Sequence, residues 1–389
     1  MNFDFDKSVN RRGTNCYKWD EPHIDDIIPM WVADMDFPAA PIIQDAINKR
    51  VAHGVFGYTI VPDRYHKAID GWFVRHHNFL IEKEWMLYTT GVVPALSAVI
   101  KAMTQPGDKV ILQTPVYNCF FSSIRNNGCE VVENPLIHDN DGWRMDYDDL
   151  EKKVSDDAVK LLILCNPHNP VGRVWTAEEM LRLNDICMRH GVTVVADEIH
   201  CGIIMEGYKY IPFASLSQET LNNSITCNSA SKSFNIAGLQ CAYIFSNNES
   251  TRKAIDRAIN INEICDLNPI GIEAQTAAYN KGDEWLQELN KYIGKNYATL
   301  KKFFEENMPK VKISSLEGTY LVWADVSALG VGSDELTRQL EEEGHVKVSS
   351  GTIYGQTTGE GYIRINIACP QTQLQEALNR MQKVMRKYC

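Results

Sequence analysis

Four short stretches of the chain are apolar almost without alternation: Lys109 to Gln113 (KVILQ), Lys160 to Cys165 (KLLILC), Val192 to Ala196 (VTVVA) and Ser224 to Cys227 (SITC). A strand with one wet face alternates apolar and polar side chains, so runs like these predict strands buried on both faces. Between the second and third lies TAEEMLRLNDICMRHG, where apolar residues recur at helical spacing. Thr176 and Glu179 are spaced as a capping box at its start, and Gly191 is placed to end it. Strands on both sides of a helix predict an α/β fold with a mostly parallel sheet. From about Glu284 the pattern changes to helices alternating with short strands, which predicts a second, smaller unit.

In open parallel sheets, ligands bind beyond the carboxyl ends of the strands. The segments just past the four runs are TPVYNCF, NPHNPVGR, DEIHCG and NSASKS, so Tyr117, Asn169, Asp197 and Lys232 are expected at one edge of one sheet. A lysine shielded there has a lowered pKa and becomes a nucleophile able to form a Schiff base. Asp197 ends an apolar run, where a carboxylate is costly unless it meets a cation or donors. A Schiff-base lysine with a buried aspartate is the pair pyridoxal phosphate requires, the aspartate keeping the pyridine nitrogen protonated.

The other parts of such a site can be sought in the same way. In TTGVVPALSAVIKAM, Gly91 precedes a predicted helix with Pro94 in its first turn, so the N–H groups of Val92 and Val93 are placed to hold a phosphate. Ser229 and Ser231 are candidate hydroxyl donors to it. Asn169 suits the cofactor's phenolic oxygen, and Tyr117 suits stacking on its ring. In GYIRINIA, alternation puts Tyr362, Arg364 and Asn366 on one strand face, and Arg364 is a candidate clamp for a substrate carboxylate. Taken singly, each residue has a plainer reading: a buried structural histidine for His200 and a turn cap for Ser229 are the two that stay open.

Length and charge narrow the classes. The 389 residues exceed one ordinary core and predict two domains, a large one over 45–283 and a small one built from 1–44 and 284–389. The net charge of −11 argues against nucleic acid and anionic membrane as partners. The N-terminal MNFDFDKSVNRRGTN lacks the apolar core of a secretory signal, so a soluble, cytoplasmic protein is expected. Eleven cysteines without a Cys-x-x-Cys pair read as reduced, mostly buried thiols, and the dispersed histidines offer no metal site.

The combination of DEIH and SASKSFNIAGLQ with NPHNPVGR upstream and YIRIN downstream resembles fold type I pyridoxal-phosphate enzymes of the aminotransferase superfamily, nearly end to end. More narrowly, KWD, WVADMDFPAAP, GVFGYT, TGVVPALS, TPVYNCF, LCNPHNPVGRVW and IPFASLS resemble its cystathionine β-lyase branch. The resemblance implies a seven-stranded sheet in the large domain and Lys232 as the residue bonded to the cofactor. It also implies Asp197 on the pyridine nitrogen, Asn169 and His200 near the ring oxygen, Tyr117 stacked, Ser229 on the phosphate and Arg364 on the substrate. Tyr58 in FGYT is implied to reach the phosphate of a neighbouring subunit, so that the active unit is a homodimer with shared sites.

Two positions depart from the wider superfamily, which often carries a tyrosine where this chain has His200 and an arginine where it has Gln240. The second change removes a positive charge from the phosphate, leaving the helix N-terminus, the serines and Tyr58 to hold it. The function implied is a carbon–sulfur β-lyase acting on L-cystathionine, L-cysteine or related S-substituted cysteines. An aminotransferase shares every residue up to the carbanion and is the alternative. A regulatory protein that keeps the fold without turnover is a third reading, against which the intact Lys232, Asp197 and Arg364 stand.

Overall fold

The computed structural model describes residues 3–139, 142–263 and 266–389. Its centre is a seven-stranded sheet in the spatial order Met86–Thr89, Ala242–Phe245, Ser224–Asn228, Thr193–Asp197, Val159–Cys165, Lys109–Leu112, Glu130–Glu133. All four predicted strands are present, within one residue of the expected bounds, and they pair in parallel. Ala242–Phe245 alone runs antiparallel to its neighbours.

The lack of alternation has the expected cause, because both faces of this sheet are covered. Val110, Leu112, Leu161 and Ile163 point to one core with Leu96, Val99 and Ile100 of helix Val92–Met103. Ile111, Leu162 and Leu164 point to another with Met180, Leu183 and Ile186 of helix Ala177–Arg189. That helix opens on the predicted capping box: the Glu179 N–H donates to Thr176 Oγ1 at 3.2 Å, and the Thr176 N–H to Glu179 Oε2 at 2.9 Å. The chain then passes through Gly191 in the left-handed region, φ +69°.

A second, four-stranded antiparallel sheet has the order Lys312–Ile313, Leu321–Asp325, Tyr362–Asn366, Ser349–Ser350. Helices Asp283–Asn307 and Gln371–Met385 pack on it through Leu289, Ile293, Leu300, Leu374, Leu378 and Met381. The N-terminal strand Ile28–Pro29 pairs in parallel with Val346–Lys347, and Phe3 and Phe5 pack into the core of the same half. Between that strand and helix Pro41–Ala52, residues 31–37 cross from the second sheet to the carboxyl edge of the first.

The ten described cysteines are free, and seven of them are buried; Cys265 lies outside the described residues. Among the described residues no helix is long and apolar enough to cross a membrane.

Candidate active site

The carboxyl ends of the parallel strands converge on one cavity of about 310 Å³, a size that suits a small cofactor. Asp197 is the last residue of Thr193–Asp197, and Lys232 lies four residues beyond the end of Ser224–Asn228. Asn169 follows Val159–Cys165, and Tyr117 caps helix Asn118–Asn126. Lys232, Asp197, Asn169, Tyr117 and His200 all line the cavity, as do Gly91, Val92, Val93 and Ser231.

Burial dominates the electrostatics. Asp197 is fully enclosed; its carboxylate accepts the Ile199 N–H at 3.1 Å and makes no ion pair among the described residues. Burial raises its pKa to about 7, against the opposing pull of that N–H and of the Lys232 charge. Burial lowers Lys232 to about 8, a shift that Asp34 and Asp197 oppose and Arg364 reinforces. The Lys232 amine donates to the Ala33 carbonyl at 2.5 Å. Burial, with the charges of Lys232 and Arg364, holds His200 far below its ordinary value, so its imidazole is neutral, and its Nδ1 is buried without a partner. Burial and the neighbouring Cys119 push the Tyr117 phenol up, so it stays protonated.

Arg364 lies behind Asn169 instead of on the cavity wall. Its Nη1 donates to Asn169 Oδ1 at 3.1 Å and its Nη2 to the Trp31 carbonyl at 2.6 Å, while the guanidinium rests 4.8 Å above the Tyr354 ring. Its Nε is buried and unpartnered. The predicted alternation holds, since Ile363 and Ile365 face the core opposite Arg364.

Gly91 precedes helix Val92–Met103 directly, so the first-turn N–H groups of Val92 and Val93 open on the cavity. Gln240 lines the same cavity. Ser229 does not: its hydroxyl donates to the Cys241 carbonyl at 2.7 Å and accepts from the Ser231 N–H and Gln275 Nε2. Within this chain the Ser229 hydroxyl is thus bonded to backbone and side chain beside the cavity, the arrangement a turn cap would also have. Tyr58 is fully exposed and touches none of the site within this chain.

Residues 31–37 enter the sequence reading only as part of the WVADMDFPAAP resemblance, with no role at the site, and Tyr320, whose hydroxyl also donates to the Ala33 carbonyl at 2.9 Å, does not enter it. Backbone carbonyls leave no mark in a side-chain pattern. A larger open groove of about 800 Å³ between helices Pro41–Ala52 and Pro269–Lys281 is lined by Asp45, Lys49, Arg50 and the paired Arg64 and Glu273; none of its lining residues is a buried nucleophile.

The donor set fits pyridoxal phosphate. A buried carboxylate without a cation suits the ring nitrogen, an amine of lowered pKa suits the carbonyl, an unpartnered buried imidazole nitrogen awaits a polar group, and a helix N-terminus suits the phosphate.

This constellation on a two-faced parallel sheet defines a class of cofactor-dependent amino-acid enzymes. The chain belongs to the aminotransferase class I and II family, whose pattern matches residues 32–381. It is similar to the cystathionine β-lyase PatB of Bacillus subtilis (strain 168), with 41% identity over 98% of this chain and 99% of the relative. It is similar also to the protein MalY of Escherichia coli (strain K12), 33% identical over 97% of each chain. Among solved structures, cystalysin from Treponema denticola, which contains a pyridoxal 5′-phosphate cofactor, superposes with a TM-score of 0.96 at 33% identity over the whole of both chains.

Proposed function

We propose that this protein is a pyridoxal-phosphate-dependent carbon–sulfur β-lyase that cleaves L-cystathionine, L-cysteine or related S-substituted cysteines to pyruvate, ammonia and a thiol. With L-cysteine the thiol is hydrogen sulfide. The observation that carries the reading is the Lys232 amine and the Asp197 carboxylate, which has no direct ion pair, lining one cavity at the strand ends. The choice of β-elimination is supported by full-length similarity to a cystathionine β-lyase.

The bound cofactor supplies an electron-accepting ring that stabilises negative charge at the substrate Cα. Asp197 holds the proton on the ring nitrogen, so that this acceptor stays cationic. Val92 and Val93 offer their N–H groups to the phosphate, with the Ser231 hydroxyl beside them. Arg364 is assigned to the substrate carboxylate: its guanidinium, held by the Trp31 carbonyl, stands behind Asn169, whose side chain has to turn aside to open it to the cavity. Lys232 Nζ, of lowered pKa, takes the Cα proton as general base. Tyr117, protonated, packs at the ring, and the neutral His200 keeps the ring's edge free of a competing charge.

The active unit is a homodimer. Val55, Phe56, Tyr58 and Ile60 stand exposed in one short segment, an apolar surface that supports burial against a second copy and the delivery of Tyr58 to its site. The second sheet with both chain ends forms the small domain, over 1–44 and 284–389. A reducing, cytoplasmic setting is supported by the free buried thiols.

The test is thiol release from L-cystathionine by the cofactor-loaded protein, followed with a thiol reagent. Steady release is expected; its absence, with the cofactor demonstrably bound, overturns the lyase reading.

A further inference from the structure

Residues 31–37 form a strap across the site, and the two cations of the site both hold on to it. The Trp31 carbonyl takes Arg364 Nη2 and the Ala33 carbonyl takes Lys232 Nζ. Asn366 Nδ2 bonds the Val32 and Asp34 carbonyls at 2.5 and 2.7 Å. Asn235 grips the strap from the other side, bonding the Met35 N–H and the Met35 and Phe37 carbonyls.

The outer side of the strap carries four charges. Lys18, only 1% exposed, donates to Asp36 Oδ2 at 2.9 Å and lies 3.5 Å from Asp34. Arg11 pairs with Asp34 at 2.6 Å and Asp36 at 2.7 Å, and bonds the Met35 carbonyl at 3.0 Å. Trp19 Nε1 and Gln373 Nε2 complete the shell of Asp36, at 2.8 and 3.0 Å. An ammonium this deeply enclosed is tolerated only when its partners surround it, and such clusters tend to specify geometry more than they add stability. None of Arg11, Lys18 and Asp36 lines the cavity.

We propose that Arg11, Lys18 and Asp36 are positioning residues for the reaction: from outside they lock residues 31–36, so that the Trp31 and Ala33 carbonyls hold Arg364 and Lys232 in register. One arm of Arg364 is set by Asn169 from the large sheet and the other by the strap, so a loosened strap leaves the guanidinium free to turn. The inference rests on the roles given above to Lys232 and Arg364.

The experiment compares Arg11→Gln, Lys18→Met and Lys18→Arg in the cofactor-loaded enzyme. Arg11→Gln and Lys18→Met are expected to raise KM for L-cystathionine about tenfold and to speed amide hydrogen exchange across 31–36. Exchange in Thr193–Asp197 and the cofactor absorbance stay as in wild type, and Lys18→Arg restores most of the KM. If Lys18→Met does not fold, Arg11→Gln, at a partly exposed position, carries the test alone. Unchanged strap exchange, or faster exchange with an unchanged KM, overturns the proposal. Should the wild type release no thiol, the lyase reading fails separately. The strap is then read from the same exchange pattern and from absorbance titration with L-alanine, where an affinity equal to wild type overturns it.

Discussion

The amine of Lys232 donates a hydrogen bond to the carbonyl of Ala33 at 2.5 Å, across 199 positions of sequence. The nucleophile we propose is therefore held by two parts of the fold, its own strand end on the large sheet and a strap anchored beside the small one. A lysine fixed in this way presents its amine to the cavity with little conformational freedom left to lose, which is the condition for attack on a positioned carbonyl.

On the proposed roles, Lys232→Ala removes both nucleophile and general base. Turnover is expected to fall by about 10³-fold or more, while far-ultraviolet circular dichroism stays that of the wild type. A variant retaining lyase activity within tenfold of wild type would take the proton transfer away from Lys232.

Arg364→Ala is expected to raise KM for amino acids by about tenfold or more, with the absorbance of the bound cofactor unchanged, because the guanidinium lies behind Asn169 and off the cavity wall. Steady-state kinetics with absorbance on the same sample decides it; an unchanged KM removes Arg364 from the carboxylate role.

Asp197 gives the cofactor-free protein a pH dependence of known sign. Its folded pKa of about 7 exceeds the ordinary carboxylate value, so between about pH 4 and 7 the folded state binds the extra proton and stability falls as pH rises. Asp197→Asn abolishes this term, so the Tm of the cofactor-free variant should gain on wild type as pH rises through that window. Parallel Tm curves would contradict the burial argument.

His168 acts in the opposite direction. Its Nε2 lies 2.9 Å from the Pro115 carbonyl, and burial lowers its pKa to about 4. The unfolded chain takes up the proton first as pH falls below about 6.5, so this contribution is complete above about 6.5 and is lost toward 4. His168→Gln should flatten the acid limb of the stability profile in urea titrations between those values. A limb as steep as that of wild type would assign the loss to other groups.

Thr176→Ala removes one half of the capping box on helix Ala177–Arg189 and should cost about 1 kcal/mol of stability by urea unfolding, with kcat unaltered. A loss well above this would mean that Glu179, which also pairs with Arg173, has been displaced as well.

The large sheet was legible because burial on both faces leaves uninterrupted apolar runs, and the ends of those runs pointed to Tyr117, Asn169, Asp197 and Lys232. Arg364 was legible from the two-residue period of YIRIN. The strap was not, because residues 31–37 act through carbonyls and have no regular period, and the partners of Arg11 and Lys18 lie 16 to 25 positions away in sequence. The bonding of Ser229 was hidden for a related reason: a hydroxyl's acceptor is set by what folds against it, here the Cys241 carbonyl.

The most direct test of β-elimination is the product balance from L-cystathionine with no keto acid present. Pyruvate and thiol should form in equal amounts over many turnovers, and adding a keto acid should leave the rate unchanged. One equivalent of product followed by arrest, with turnover resuming only when a keto acid is supplied, would contradict the account and make the protein an aminotransferase.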